Sequence, residues 1–410
     1  DSFGPPLSPV FGFVGAGVAL QRRKRGGCRR RAVEVETSSM RLVALGEKPV
    51  RSPQVPVWLF RQAGRHLPEY MEYKASQGKN FLELLKDPVD VAECTMQPLR
   101  RYGVDAAILF SDILVVAEAL GIRVEMPGGQ GILVPEPLET PADLKKLPSL
   151  EEAASAAFVE DKLAHVLAAV RLIVETMSKE GFGDRPLIGF SAAPWTLFFY
   201  MVGGSSKKRT DAGETWLREH EAASVELLSL LSKVIIEYLD AQVRAGAHIL
   251  QVFEAMGDKI SKENFQKFAV PAMKEIALEL KKRHPEVPLM VFPRGACYSL
   301  ADLQSAGYNV VTADTATDLA AAAAELKAEA EKTGGHVANL QGNFDPKWLR
   351  PSEGSSDDDV QREVKVMLSK VRPGGPLLIA NLGEGLNGQE SPELVKTFVD
   401  TIHEWKPRQG

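Results

Sequence analysis

The sequence predicts an α/β protein, a single-domain (β/α)8 TIM barrel, and three observations carry that expectation. Short apolar runs recur from residue 50 onward, longer amphipathic stretches separate them, and no hairpin signal joins neighbouring runs. Strands buried on both faces read as unalternating apolar runs, and strands separated by helices pair in parallel through right-handed crossovers. The 410-residue chain has 44% hydrophobic and 25% charged side chains, which excludes a disordered, collagen-like or disulfide-scaffold protein. A barrel of roughly 250 residues or more fits within it.

In chain order, the strand runs are 106–110 (AAILF), 187–190 (LIGF), 248–253 (HILQVF), 289–292 (LMVF), 310–313 (VVTA), 337–340 (VANL) and 377–381 (LLIAN). The eighth strand is either 55–60 or a segment within 122–134. Helical patterns fill 162–179, 215–245, 262–283, 319–332 and 360–370. An open doubly wound sheet is the alternative, although no G-x-G-x-x-G follows any strand. The proline-rich stretch 127–148 reads as an irregular surface excursion, and 351–359 (PSEGSSDDD) as a solvated loop.

Charge is unevenly distributed. Residues 1–40 hold seven basic and three acidic side chains, so the rest of a chain of net charge −5 is strongly acidic. That body is a poor nucleic-acid binder, and anionic ligands must be met by local Arg or Lys. The apolar run 10–20 is too short to span a bilayer, and with the Arg-rich, Ser/Thr-containing stretch behind it resembles a transit leader. The expected division is therefore a disordered leader over 1–48 and a barrel over 49–406, with a plastid or otherwise cytoplasmic location. A disordered cytosolic tail is the competing reading. Cys28, Cys94 and Cys297 lie far apart, without C-x-x-C or H-x-C spacing, so neither a disulfide framework nor a cysteine metal site is expected.

In a barrel of this kind, chemistry sits just past the strand ends. Those positions hold Ser111-Asp112, the stretch ending at Tyr200, Glu254-Ala255, Arg294 and Glu384. Ahead of them, 58–65 (WLFRQAGR) places Arg61 and Arg65 four residues apart. Paired guanidiniums suit carboxylates or phosphates, while the plain alternative is a solvated helix face. Asp112 is either an electrostatic group in a dry setting or the cap of a helix starting at residue 113. The aromatics around Trp195 and Tyr200 read equally as core.

These segments match a family. PVWLFRQAGRHLPEY (56–70) and IGFSAAPWTLFFYMVGG (188–204) resemble the two signatures of the uroporphyrinogen decarboxylases. FSDILVVAEALG (110–121), QPLRRYGVDAAI (97–108), GNFDP (342–346) and NLGEG (381–385) follow in the family's order. The resemblance implies a (β/α)8 barrel, a homodimer, no metal and no organic cofactor. It implies removal of CO2 from four acetate side chains of a cyclic tetrapyrrole, with no nucleic-acid or membrane partner. It assigns Asp112 to the pyrrole N–H groups, Arg61 and Arg65 to substrate carboxylates, and Tyr200 to the reacting acetate. Gln62, Ala63 and Gly64 would line the same contacts, with Ala255 and Glu384 at further substrate-binding positions. Lys74, Arg294 and the loop 203–208 are additional carboxylate candidates.

Three departures stand out. The family has serine at position 255 and histidine at 384, and a tryptophan follows the aspartate at 314. A lost hydroxyl contact costs about 1–3 kcal/mol. A carboxylate 4 Å from a like charge is repelled by roughly 4 kcal/mol at an effective dielectric of 20. The Glu384 charge therefore needs either a raised pKa or an arginine partner. A diverged paralogue that binds or senses tetrapyrroles is the competing reading. The corrinoid methyltransferases of the superfamily are disfavoured by the isolated cysteines.

Overall fold

The structure, a computed structural model, describes residues 35–406 apart from 51–52, 128–130 and 372–373. Seven parallel strands form one sheet in strictly sequential order: β1 (Ala107–Ile108), β2 (Leu187–Ala192), β3 (Ile249–Glu254), β4 (Leu289–Pro293), β5 (Val310–Thr312), β6 (Asn339–Phe344) and β7 (Leu378–Leu382). The two edges are joined by an extended segment. Val57 forms a parallel bridge with Ala380 on β7, while its carbonyl accepts from Asp105 N–H at 2.8 Å beside β1. Of the two expected locations for the eighth strand, 55–60 is the one that closes the barrel. The 122–134 segment instead makes antiparallel bridges outside it, Glu125 with Leu133 and Leu133 with Ser205.

Several element boundaries differ from expectation, each for a local reason. The acidic triplet Asp357-Asp358-Asp359 is the first turn of the helix Asp357–Ser369, not part of a loop. Ser356 and Asp359 form a reciprocal capping box there, and negative charge suits the positive end of the helix dipole. The pattern 215–245 divides at His220 into helices Ala212–Glu219 and Glu221–Ala245. The pattern 262–283 carries a π-helical segment, Phe265–Ala269, just before Pro271, whose missing N–H removes a regular helical bond.

The amino-terminal boundary moves further. Residues 1–34 lie outside the described residues, so most of the expected leader is not addressed. However, Ser39–Leu45, inside the stretch 1–48 expected to be disordered, is a helix capped by Ser38 and ended by Gly46 at φ 85°. Its Met40, Val43 and Ala44 are buried against Ala106, Ile188, Ile249, Met290, Val310 and Ile379. Those residues lie at or near the N-terminal ends of the strands, so the helix closes that end of the barrel. Arg41 fixes it by donating from Nη2 to the Glu286 carbonyl at 2.7 Å, just ahead of β4.

Inside, apolar layers are interrupted by one satisfied polar network. Trp58 Nε1 donates to Gln341 Oε1 at 2.7 Å, and Gln341 Nε2 donates to Thr312 Oγ1 at 2.8 Å and Gln251 Oε1 at 3.3 Å. Above it lies a layer of phenylalanines. Phe60 stacks on Phe292 at 4.9 Å between centroids, and Phe253 meets Phe60 and Phe190 edge-on at 5.7 and 5.5 Å. This layer forms an apolar floor immediately beneath the C-terminal strand ends.

Candidate active site

The site is built on that floor from loops that follow the strands. After Phe60, the backbone turns sharply: Gln62 N–H donates to the Leu59 carbonyl at 3.1 Å, leaving Arg61 in the left-handed region at φ 58°. A non-glycine residue there costs about 1–2 kcal/mol, so the surrounding contacts must hold it. Gln62 supplies them. Its Oε1 accepts from Leu59 N–H at 3.2 Å and its Nε2 donates to the Ala106 carbonyl at 3.2 Å. Buried and committed at both ends of its amide, the Gln62 side chain clamps the arginine loop. Ala63 and Gly64 remain partly exposed beside it.

The loop after β7 packs onto both arginines. Leu386 N–H donates to the Phe60 carbonyl at 3.1 Å, and Arg65 Nη2 donates to the Asn387 carbonyl at 2.9 Å. A Cβ at Gly385 would lie 2.8 Å from Arg61 Cδ, so glycine is what lets the arginine stem cross that backbone. The Arg61 side chain reaches solvent while protein encloses it from the sides. Burial lowers its pKa, the nearby Arg294 and Arg65 lower it further, and Tyr200 and Asp112 oppose them.

Asp112 follows β1 and is 9% exposed. Its Oδ1 accepts from Leu114 N–H at 2.6 Å, ahead of the short helix Val115–Ala119. The capping and electrostatic readings are thus compatible: one carboxylate oxygen holds the turn. Burial raises this carboxyl to about 7, outweighing the Leu114 N–H bond and the attraction of Arg61. Preceding it, Ser111 bonds the buried Tyr238 hydroxyl from the helix Glu221–Ala245.

Tyr200 lies on the helix Pro194–Gly203, buried and hydrogen-bonded to Ser206. Burial raises its pKa, so it stays a hydroxyl donor at neutral pH; Asp112 raises it as well, while Arg61 and Arg294 pull the other way. The helix is positioned by Glu254, the last residue of β3. Its carboxylate accepts from Thr196 Oγ1 at 2.6 Å, Thr196 N–H at 3.1 Å and Met256 N–H at 2.7 Å. Burial raises Glu254 to about 7 despite these bonds. Trp195 is fully buried and donates to the Met256 carbonyl, so it belongs to the core.

Arg61, Arg65, Asp112, Tyr200 and Arg294 therefore share one electrostatic environment at the barrel mouth. Glu384 joins it through Arg294, whose Nη2 lies 3.3 Å from Glu384 Oε1, while Arg294 Nη1 donates to the Ala255 carbonyl at 3.3 Å. Of the two routes expected to relieve the Glu384 charge, pairing with an arginine is the one observed. Sequence reading placed Glu254 at a strand end without its partner Thr196, and missed Tyr238 as a positioning group and the phenylalanine floor as part of the site, because buried aromatics look like core in one dimension. Lys74 lies on the outer helix Pro68–Gln77 and makes no ion pair among the described residues.

Elsewhere, a surface hollow of about 400 Å³ is lined by Glu69, Glu93, Gln97, Arg100 and Arg101. Its arginines are already paired, Arg100 with Glu93 and Glu180 and Arg101 with Glu69, so it offers no free cation. Among the described residues, no group of three or more His, Cys, Asp or Glu could hold a metal ion, and no helix is long and apolar enough to cross a membrane.

Comparison with known proteins fits this geometry. A solved methyltransferase from Methanosarcina mazei superimposes with a TM-score of 0.68 over 90% of this chain and 98% of its own, at 20% identity, a likeness of fold. Proteins named uroporphyrinogen decarboxylase are 42% identical in Salinibacter ruber, over 85% of this chain and 91% of the relative, and 40% identical in Danio rerio, over 85% and 89%. The Homo sapiens protein of that name is 38% identical over 90% of this chain and 94% of its own. The model of the family described as Uroporphyrinogen decarboxylase (URO-D) matches residues 38–405, and the chain belongs to that family.

Proposed function

We propose that the chain is a carboxy-lyase that converts the four acetate side chains of uroporphyrinogen to methyl groups, giving coproporphyrinogen without a bound cofactor. The observation that carries this reading is the buried Asp112 carboxyl beside Arg61, above an aromatic floor and below an arginine rim. The apolar faces of the four pyrrole rings suit the floor, and the carboxylates suit the guanidiniums.

The chemistry follows from the substrate. Protonating the ring carbon next to the one that bears the acetate makes the pyrrole an iminium-like cation conjugated through the acetate-bearing carbon. The electrons of the breaking C–CO2 bond flow into that cation, and CO2 leaves. The exocyclic methylene then takes a proton at carbon to become a methyl group, and the ring carbon gives up the first proton. Elsewhere a cofactor supplies the electron sink; here the substrate supplies its own.

The residues divide the remaining work. Asp112 accepts from the pyrrole N–H groups and stabilises the positive ring. Bound N–H donors favour its ionised form, reversing the upward push of burial. Arg61 and Arg65 bind carboxylates, and the lowered pKa of Arg61 makes it a better proton donor than an ordinary guanidinium. Tyr200 donates a hydrogen bond at the reacting acetate. Anaerobic incubation of the purified protein with uroporphyrinogen, followed by quantifying CO2 and coproporphyrinogen, tests the reading; porphyrinogen binding without product would favour the diverged paralogue. The Glu384 charge, its main support, is balanced by Arg294.

The assembly is proposed as a homodimer, testable by sedimentation, and the basic amino-terminal stretch ahead of the Ser39–Leu45 helix as a plastid leader, testable by organelle import of the full chain. The basic, acid-poor composition of that stretch supports the second proposal.

A further inference from the structure

Arg294 stands at the end of β4 and Glu384 follows β7, 90 residues apart in sequence, and their side chains meet across the mouth. The contact is a single N–O approach of 3.3 Å, longer than a tight charge-assisted bond, and the side chains are 41% and 45% exposed. Such pairs are weak and readily exchanged. Glu384 also adjoins Gly385, over whose backbone the Arg61 stem passes. It is therefore a carboxylate paired with Arg294, the guanidinium whose repulsion contributes to lowering the Arg61 pKa. Here it offsets the charge of Arg294. In the filled site it has the same sign as every group the rim is built to receive.

We propose that Glu384 is a resident surrogate for a substrate carboxylate: it occupies Arg294 when the site is empty and is exchanged for an incoming carboxylate, setting the site's preference between more and less carboxylated tetrapyrroles. The inference rests on the proposed function and adds a specificity-determining residue to it. The exchange makes no covalent change; one ion pair replaces another. Its consequence is a penalty on binding that scales with the number of substrate carboxylates at the rim.

The test is equilibrium binding, read by fluorescence, of two stable oxidised ligands: uroporphyrin, which keeps the four acetates, and coproporphyrin, which lacks those carboxylates. Wild type, E384Q, E384A, R294M and the E384Q/R294M pair are compared, with circular dichroism confirming the fold of each. The expected result is that E384Q and E384A tighten uroporphyrin binding about three- to tenfold, and coproporphyrin binding by less. The gain should vanish in the R294M background, because the surrogate has no arginine left to release. Unchanged uroporphyrin affinity in both Glu384 variants, an equal gain for both ligands, or a gain that persists in R294M would overturn the surrogate role and leave the proposed function standing. If neither porphyrin bound wild type or any folded variant, the surrogate role would fall, while the proposed function would be decided separately by CO2 release from uroporphyrinogen.

Discussion

Replacing Asp112 by asparagine should separate what the carboxyl does for chemistry from what it does to stability. Its pKa in the fold is raised to about 7 from an ordinary 3.8. The folded chain therefore holds the proton more tightly than the unfolded chain does, so stability falls as pH rises from about 4 to about 7 and is level above that. A difference of about 3 units corresponds to a total of about 4 kcal/mol, of which about 2–3 kcal/mol develops between pH 5 and pH 8. Asparagine keeps an oxygen for the Leu114 N–H but carries no charge. For an ordered body of this size, the thermal midpoint of D112N should gain about 3 °C on wild type between pH 5 and pH 8. Glu254 titrates in both proteins and cancels from the difference. Decarboxylation by D112N should fall by about 100-fold or more, the usual cost of removing a preorganised electrostatic group. Calorimetry at both pH values and anaerobic CO2 release are the measurements. A constant midpoint difference across pH would refute the desolvated carboxyl, and unimpaired turnover would refute its role.

Three further outcomes are expected. Gly385→Ala brings a Cβ to 2.8 Å from Arg61 Cδ and 3.1 Å from its Cγ, so KM should rise with little change in thermal midpoint, as steady-state kinetics and a melt would show. Tyr200→Phe removes a hydroxyl donor, and kcat/KM should drop about tenfold, worth about 1.4 kcal/mol. A drop of less than twofold would remove Tyr200 from the mechanism. Met40→Ala empties a fully buried position in the amino-terminal helix and should cost about 2–5 kcal/mol, lowering the midpoint by several degrees while kcat per folded molecule stays unchanged.

The strands were legible where burial on both faces leaves only apolar residues, as in 187–190 and 289–292. β6 was legible only in part. It runs Asn339–Phe344 rather than over 337–340, because Val337 is exposed whereas the polar Gln341 is buried and satisfied by Trp58, Thr312 and Gln251. Reading polarity as exposure fails when the barrel interior supplies the hydrogen bonds. The amino-terminal helix was hidden by its shortness and its basic surroundings, since one turn of apolar residues carries little periodicity. At the site, residue types that announce chemistry, Asp112 and the two arginines, were readable from strand-end position. What Gln62 does was not, because a buried clamp and an exposed ligand use the same amide. The Arg294–Glu384 pairing depends on barrel closure, which no local spacing encodes.

The helix Ser39–Leu45 sits on the face of the barrel opposite the strand ends that carry Asp112, Tyr200 and Arg294. Whatever is joined ahead of it, an affinity handle or a fluorescent reporter, sets out from the far side of the molecule. Amino-terminal fusions can thus be made without obstructing ligand entry, provided they spare Met40 and Val43, which act as the stopper.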